Sequence, residues 1–401
     1  MNPADVAWLQ TAEGERAAAR ADELRASMSE LAAIERLRRE FGVEGAGAAI
    51  ALVAGRRAAA SKFEDAGRLF FDRESAEQAS PQVVARWTAR RFASFARVAD
   101  LGCGAGADAL ALAEHASVVA VDRDASMVAL AAANAAVRGL EGRIEVVEGD
   151  IETWVAPVDV RAAWLDPSRR DARGRTLDPR RWSPPLEVAL DLASRFEGAG
   201  IKLAPGIDTS LLPADCEVEF ISLDGRMVEA VCWLGVLADE PRQATVLPAG
   251  ASMAGPAEET LEARLREPGG YLLDPDPAVG RAGLVRALGA QLDAWQLDEQ
   301  IAFLSSDTPS ETPFARRFRV IEWGAFAERA IIEASRRAGA ARVEVMRRGS
   351  PIDTNALERR VNARLEGHTQ GLETVRTAVL TRLRGEHVFL LVERERTPAS
   401  S

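Results

Sequence analysis

The stretch Val98-Ala99-Asp100-Leu101-Gly102-Cys103-Gly104-Ala105-Gly106 decides the fold. An apolar run enters three closely spaced glycines and leaves into an alanine-rich segment. That is the pattern of a first strand turning into a first helix in an α/β unit. Glycines at such a turn let the backbone approach a ligand closely, and the helix N-terminus beyond them offers N–H groups. A dinucleotide loop spaces its glycines as GxGxxG. Here the third glycine comes one residue earlier, and Asp100 stands two residues before the first. A carboxylate at that point suits an ammonium group and repels a pyrophosphate.

Outward from this loop, short apolar runs at 97–101, 118–121, 144–147, 162–165 and 200–203 alternate with helical segments. Two more runs follow at 217–223 and 229–236. The alternation predicts a parallel sheet wound with helices, carrying an antiparallel pair at one end. The second run closes on Val121-Asp122, which places Asp122 to accept both hydroxyls of a ribose. The third is followed by Glu148-Gly149-Asp150-Ile151. Asp150 is placed to accept from an adenine amino group, with Ile151 packing on the ring. Three carboxylates at successive strand ends match an amino acid, a ribose and an adenine, and S-adenosylmethionine is the ligand with those parts.

These ordered motifs, over about residues 97–236, resemble the class I S-adenosylmethionine-dependent methyltransferases. The resemblance implies a Rossmann-like sheet with the cofactor on Asp100, Gly102, Gly104, Gly106, Asp122, Asp150 and Ile151. It also implies that Trp164-Leu165-Asp166-Pro167-Ser168-Arg169-Arg170, at the end of the fourth strand, faces the methyl group. Many relatives that methylate exocyclic amines carry Asp/Asn-Pro-Pro-aromatic there. This chain keeps Asp166 and Pro167 but has Ser168 and Arg169 in the last two places. Methyl transfer is an in-line displacement that needs alignment more than elaborate acid–base chemistry. Asp166 is the candidate for orienting or deprotonating the nucleophile; a cap on the following loop is its other reading. Pro167 and Arg169 complete the catalytic candidates, since arginine can stack on a base or fork onto a phosphate. Cys103, Cys216 and Cys232 read as packing residues, because no thiol lies near the Asp166 motif.

The chain has 401 residues, 47% hydrophobic and 28% charged, with a net charge of −11. That excludes wholesale disorder and a generic polycation that coats nucleic acid. Three cysteines and three histidines make a disulfide framework or a structural zinc site improbable, so no metal is expected. The longest apolar run is too short to span a bilayer, and no signal-peptide pattern opens the sequence. A cytoplasmic protein without a membrane partner is the expectation. Among 50 basic residues only Lys62 and Lys202 are lysines. In so arginine-rich a chain, each either marks a place for a compact ammonium or is a chance survivor. Both are candidate substrate contacts, with Gln78 and Arg170. Seven arginines between 161 and 181 (Arg161, Arg169, Arg170, Arg173, Arg175, Arg180 and Arg181) form a basic stretch at the expected mouth of the site. It reads either as a phosphate-binding surface or as a solvated loop.

Residues 5–40 read as one helix with Leu24, Met28, Leu31, Ile34 and Leu37 on one face. Ser80 and Pro81 read as N-cap and first residue of a helix through Phe95. Five parts are expected: an N-terminal helical segment (1–95), the methyltransferase domain (96–249), a Pro/Gly-rich linker (250–270) and two further units (271–323 and 324–396). In the last, 326–338 reads as helix, 342–346 as strand, Asp353 as the cap of a helix to 364, and 374–383 with 386–393 as a hairpin about Arg384-Gly385. The end, 396–401, reads as disordered. This order, with Gly270-Tyr271-Leu272, Arg281-Ala282-Gly283 and 343–349, resembles bacterial class I methyltransferases with a C-terminal THUMP-like domain. The resemblance implies that 271–323 is a ferredoxin-like unit and 324–396 the THUMP-like domain. Because THUMP domains deliver RNA, often tRNA, to a modifying domain, the resemblance implies an RNA methyltransferase. Arg347 and Arg348, with Arg336, Arg337 and Arg342, are its candidate phosphate contacts. A methyltransferase of small molecules or proteins, and a catalytically silent RNA-binding protein, are the competing readings.

Overall fold

The computed structural model describes residues 1–171, 174–256, 261–366 and 374–395, without the side chains of Arg170, Asp171 and Arg175. The chain divides into two compact units, residues 1–218 with 229–239, and residues 219–228 with 240–401.

The first unit opens with three helices, α1 (Pro3–Leu9), α2 (Ala12–Ser27) and α3 (Glu30–Ala59), where periodicity alone predicts one over 5–40. Thr11 and Ser29 make the breaks. Each has extended backbone, and its hydroxyl accepts from the backbone N–H three residues on, a cap that contributes about 0.5–2 kcal/mol. The expected apolar face is interrupted with the helix. Leu24 and Leu37 are buried, but Leu31 is 68% exposed. Helix α3 continues through the alanine-rich stretch, kinked at Gly42 (φ +76°).

Next come α4 (Arg73–Gln78) and α5 (Gln82–Ala89). Helix α5 has no side-chain cap, because the Ser80 hydroxyl that the sequence assigns to it bonds Asp108 instead. The wound sheet then follows: β1 (Arg97–Leu101), α6 (Ala107–Leu112), β2 (Ser117–Asp122), α7 (Ala125–Val137), β3 (Ile144–Glu148), β4 (Ala162–Leu165), the two-residue strands β5 (Arg170–Asp171) and β6 (Gly174–Arg175), α8 (Leu186–Ala193) and β7 (Gly198–Leu203). Strand β8 (Glu217–Leu223) straddles the division of the chain, and β9 (Arg226–Gly235) returns antiparallel along β7.

Strand order is β9-β7-β4-β1-β2-β3, with β7 through β3 parallel. Val98, Ala99, Asp100 and Leu101 of β1 are all buried, as expected for a strand covered by helices on both faces. Beneath the sheet ends, Phe92, Trp164 and Trp233 pack with ring centroids 5.8–6.4 Å apart. Gly200 makes room for them, since a Cβ there would lie 2.6 Å from Trp233 and 2.8 Å from Trp164. The connection order reverses between β1 and β4, and in open α/β sheets ligands bind outside the carboxyl ends of the strands at that point.

In the second unit β10 (Arg242–Leu247) pairs antiparallel with β11 (Ala251–Gly255), so the stretch read as a linker begins as a strand. The remaining elements are β12 (Tyr271–Pro275), α9 (Pro277–Ala282), α10 (Val285–Gln291), β13 (Trp295–Gln296), β14 (Leu304–Ser306), β15 (Ala315–Ala325), α11 (Glu328–Arg337), β16 (Arg342–Arg347), α12 (Thr354–Leu365), β17 (Val375–Leu383) and β18 (Glu386–Arg394). They build one seven-stranded sheet ordered β13-β14-β12-β15-β18-β17-β16. The expected division at 323/324 falls inside β15, which pairs with β12 on one side and β18 on the other. Alternation along β17 and β18 sends Ala378, Leu380, Phe389 and Leu391 to the core under α11 and α12, and Val379, Val388, Leu390 and Val392 to a second core. A sheet buried on both faces reads as continuous apolar runs. Arg384 (φ +49°) and Gly385 (φ +90°) make the tight turn between the two strands, as a two-residue hairpin loop requires. Residues 396–401 lie outside the described residues.

Candidate active site

The strand ends at the β1/β4 switch point open onto a cleft of about 290 Å³. It is lined by Gly102, Gly104, Asp122, Asp150, Ile151, Asp166, Pro167, Arg169, Gln78 and Lys202, ten of the sequence candidates, together with Ser80 and Asp108.

The glycine loop is shaped by φ values that side chains rarely adopt, +84° at Gly102, +52° at Gly104 and +84° at Gly106. A Cβ on Gly106 would lie 3.1 Å from Cβ of Ala131, so this glycine lets the loop pack against α7. A Cβ on Gly104 would meet nothing within 4 Å, so that face of the loop is open. Asp122 braces the turn: Oδ2 accepts from Gly104 N at 2.9 Å and Oδ1 from Asp124 N at 2.9 Å. Asp150 Oδ1 accepts from Glu152 N at 3.0 Å. Both carboxylates are thereby aimed by backbone donors.

Asp100 is different. It is 1% exposed, and neither carboxylate oxygen has a hydrogen-bond partner among the described residues. Burial, then the carboxylates of Asp108 and Asp166, push its pKa well above the ordinary range, against the opposing pull of Lys202. Asp100 stands two residues before Gly102 of the cleft wall, and a buried, unpartnered acid there calls for a cationic or donor-bearing ligand. The ammonium of a methionine moiety supplies that, so the residues present fit S-adenosylmethionine. The Cys103 thiol is pushed well above its usual range by burial and by Asp100 and Asp122, which disfavours the thiolate form that a nucleophile needs.

Asp166 lies at the end of β4, where its N–H donates to Leu101 O at 3.2 Å. Its Oδ2 accepts from Lys202 Nζ at 2.8 Å. Lys202 Nζ also donates to Ser80 Oγ at 2.7 Å, and the Ser80 hydroxyl donates to Asp108 Oδ2 at 3.0 Å. Burial draws the Lys202 pKa down, but Asp166, Asp108 and Glu229 outweigh it and hold the ammonium above its ordinary value. Lys202, read from sequence as a substrate contact, lines the cleft with its ammonium bonded to Asp166 and Ser80. Ser80 and Asp108 escaped the sequence reading, because a helix cap and a first-turn acid have no local mark of a site.

Lys62 does not line the cleft. Its ammonium donates to the carbonyls of Ala76, Glu77 and Ala79 at 2.7–2.9 Å, closing the C-terminus of α4. Arg170 has its side chain outside the described residues, as Arg173 lies outside them altogether. In the rest of the basic stretch, Arg161 pairs with Glu197 and Arg180 with Asp178. In the second unit Arg347 donates to the Ile352 carbonyl at 2.6 Å, and Arg348 lies 3.2 Å from the buried carboxylate of Asp274. Arg336 bonds the Arg364 carbonyl, Arg337 pairs with Glu322 and Arg342 with Glu358. The candidate phosphate contacts therefore all have partners inside their own unit. No helix among the described residues is long and apolar enough to cross a membrane.

Comparison with known proteins agrees with this geometry. Residues 98–165 match the methyltransferase domain family, residues 315–394 the THUMP domain-like family, and residues 2–59 a domain family of unknown function. An uncharacterized S-adenosylmethionine-dependent methyltransferase of Mycobacterium tuberculosis, present in two strains, is 36% identical over 305 residues, covering 74% of this chain and 81% of the relative. A solved structure of a candidate methyltransferase from Porphyromonas gingivalis W83 shares the fold at 20% identity, with a TM-score of 0.74 over 95% of this chain and 99% of that one. The chain belongs to the class I S-adenosylmethionine-dependent methyltransferases that carry a C-terminal THUMP-like domain.

Proposed function

We propose that the enzyme methylates an RNA base, in tRNA or rRNA, with the cofactor seated on Asp100, Asp122 and Asp150. The observation that carries the seating is Asp100, a buried carboxylate without a partner at the mouth of the glycine loop. When bound, S-adenosylmethionine supplies an electrophilic methyl group on a sulfonium. Asp166, with Pro167 beside it, orients the nucleophile, and Arg169 on the same wall contacts the base or its phosphate. RNA is the substrate class suggested by the THUMP-like match at 315–394.

The deciding experiment compares nucleoside masses of total RNA from cells with and without the protein, and from cells carrying Asp166→Ala. A methylated nucleoside absent from both the deletion and the variant supports the reading. Identical nucleosides in all three would sink it. A second reading, a small-molecule or protein substrate, is favoured by one observation: Arg336, Arg337, Arg342, Arg347 and Arg348 all bond groups of their own unit. RNA binding by the purified chain that weakens steeply with salt would speak against that alternative.

A further inference from the structure

Four side chains from four separate elements meet beside the glycine loop. Ser80 comes from the α4–α5 turn, Asp108 from α6, Asp166 from the end of β4 and Lys202 from β7. Ser80 is 3% exposed, Lys202 5% and Asp108 9%, whereas the Asp166 side chain keeps 28% of its surface open. The bonds run in one sense. Lys202 Nζ donates to Asp166 Oδ2 and to Ser80 Oγ, the Ser80 hydroxyl donates onward to Asp108 Oδ2, and Asp108 Oδ2 stands 3.9 Å from Lys202 Nζ. Ser80 uses its single proton on Asp108 and so faces Lys202 only as an acceptor. The ammonium therefore has a fixed place and a fixed orientation.

We propose that Lys202, held by Ser80 and Asp108, is a positioning residue that fixes the Asp166 carboxylate in one orientation as an acceptor for the incoming nucleophile. This deepens the reading of Asp166 as the group that meets the substrate. Methyl transfer requires the nucleophile to approach in line, and a misplacement of about 1 Å is worth on the order of 100-fold in rate. Pinning Oδ2 removes the rotation of the carboxylate and leaves Oδ1 for a hydrogen on the nucleophile. In the displacement, the nucleophile's lone pair forms the new bond to the methyl carbon. The sulfonium–carbon bond breaks with its electron pair staying on sulfur. The proton then surplus on the nucleophile leaves to Asp166 or to water.

Electrostatics makes the same demand. Asp166 shares its surroundings with Asp100 on β1 and Asp108 on α6, and Glu229 on β9 acts on Lys202 from behind. Lys202 is the cation bonded into this group of acids, and with it gone neighbouring carboxylates would favour a proton on Asp166. A protonated Asp166 would offer the nucleophile a hydrogen instead of accepting one. Arginine would serve poorly here, because its donors are fixed in one plane, whereas a compact ammonium turns its three donors to suit Ser80 and Asp166. That accounts for a lysine in a chain that otherwise uses arginine.

The test needs no knowledge of the substrate. The full chain is labelled with [γ-13C]aspartate, the Asp166 resonance is identified by its loss in Asp166→Asn, and its titration is followed in wild type, Lys202→Met and Ser80→Ala. S-Adenosylhomocysteine binding, measured by calorimetry, reports that each site is intact. The expected result is a higher midpoint in Lys202→Met than in wild type and a smaller rise in Ser80→Ala. A Lys202→Met protein that binds the nucleoside normally and leaves the Asp166 midpoint in place overturns the proposal. Should Lys202→Met not fold, an unmoved midpoint in Ser80→Ala overturns it equally. If wild type itself fails to bind S-adenosylhomocysteine, the cofactor seating is wrong, while the Asp166 titration still judges the role of Lys202.

Discussion

Replacing Asp100 with asparagine should push stability and ligand affinity in opposite directions. In the free protein the carboxylate is buried without a hydrogen bond among Asp108, Asp122 and Asp166. An amide of the same shape turns one acceptor into a donor, with three acids around it. Leaving a buried polar group unsatisfied costs about 1–3 kcal/mol, so the variant should gain about 1–2 kcal/mol. That corresponds to a rise in Tm of about 2–6 °C for a unit of this size. The sign with pH follows from burial. A carboxyl whose folded pKa lies above its unfolded value binds its proton more tightly when folded. Wild type therefore loses stability as pH rises from about 4 toward the folded pKa, and Asp100→Asn loses less over the same window.

Affinity should move the other way. Exchanging a charge-assisted bond to the ligand ammonium for a neutral one removes about 2–3 kcal/mol, or about 30- to 150-fold in the Kd of S-adenosylhomocysteine. Calorimetry in two buffers of different ionisation enthalpy should also show wild type releasing protons on binding at pH values below the folded pKa of Asp100, and Asp100→Asn releasing fewer. A variant that melts lower and binds as tightly as wild type would refute this account of the orphaned carboxylate.

Asp122→Ala removes the proposed ribose acceptor and also the brace on Gly104 N, so calorimetry should show S-adenosylhomocysteine affinity falling by more than about 100-fold. Wild-type affinity in this variant would remove the ribose assignment. Gly55→Ala would place a Cβ 1.9 Å from the Phe71 carbonyl oxygen, near the C-terminal end of α3; a loss of about 3 kcal/mol or more is expected in chemical denaturation, and an unchanged midpoint would contradict this packing. Lys62→Met strips three carbonyls at the end of α4 of their donor and should destabilise the fold by about 2–4 kcal/mol, while nucleoside binding in the folded fraction persists. Were that variant fully stable, the capping role of Lys62 would be wrong.

The strands around the cleft were legible in the sequence, because a covered parallel strand must be apolar along its whole length and each one ends at a turn. β1 and β4 begin and end where the apolar runs do, with Asp100 one residue before the end of β1 and Asp166 just after β4. The helical lead was less legible. Threonine and serine caps at Thr11 and Ser29 broke a periodicity that continued through them. The linker reading failed at Ala251–Gly255 because a strand on an edge can be built from small residues when its partner supplies the hydrogen bonds.

The two lysines mark the limit most clearly. Sequence composition alone made both Lys62 and Lys202 conspicuous, and in the fold each ammonium is indeed held at close range by several oxygens. Their different fates, one closing a helix and one gripping Asp166, come from contacts across 14 to 17 residues in the first case and 36 to 122 in the second. Local sequence determined the glycine turn, the wound sheet and the acids at the strand ends, since each depends on a residue and its near neighbours. Only the tertiary structure decided that Ser80, Asp108, Asp166 and Lys202 share one buried point. A charge is worth little or much according to what else is brought within hydrogen-bonding reach in low dielectric, and nothing along the chain states that distance.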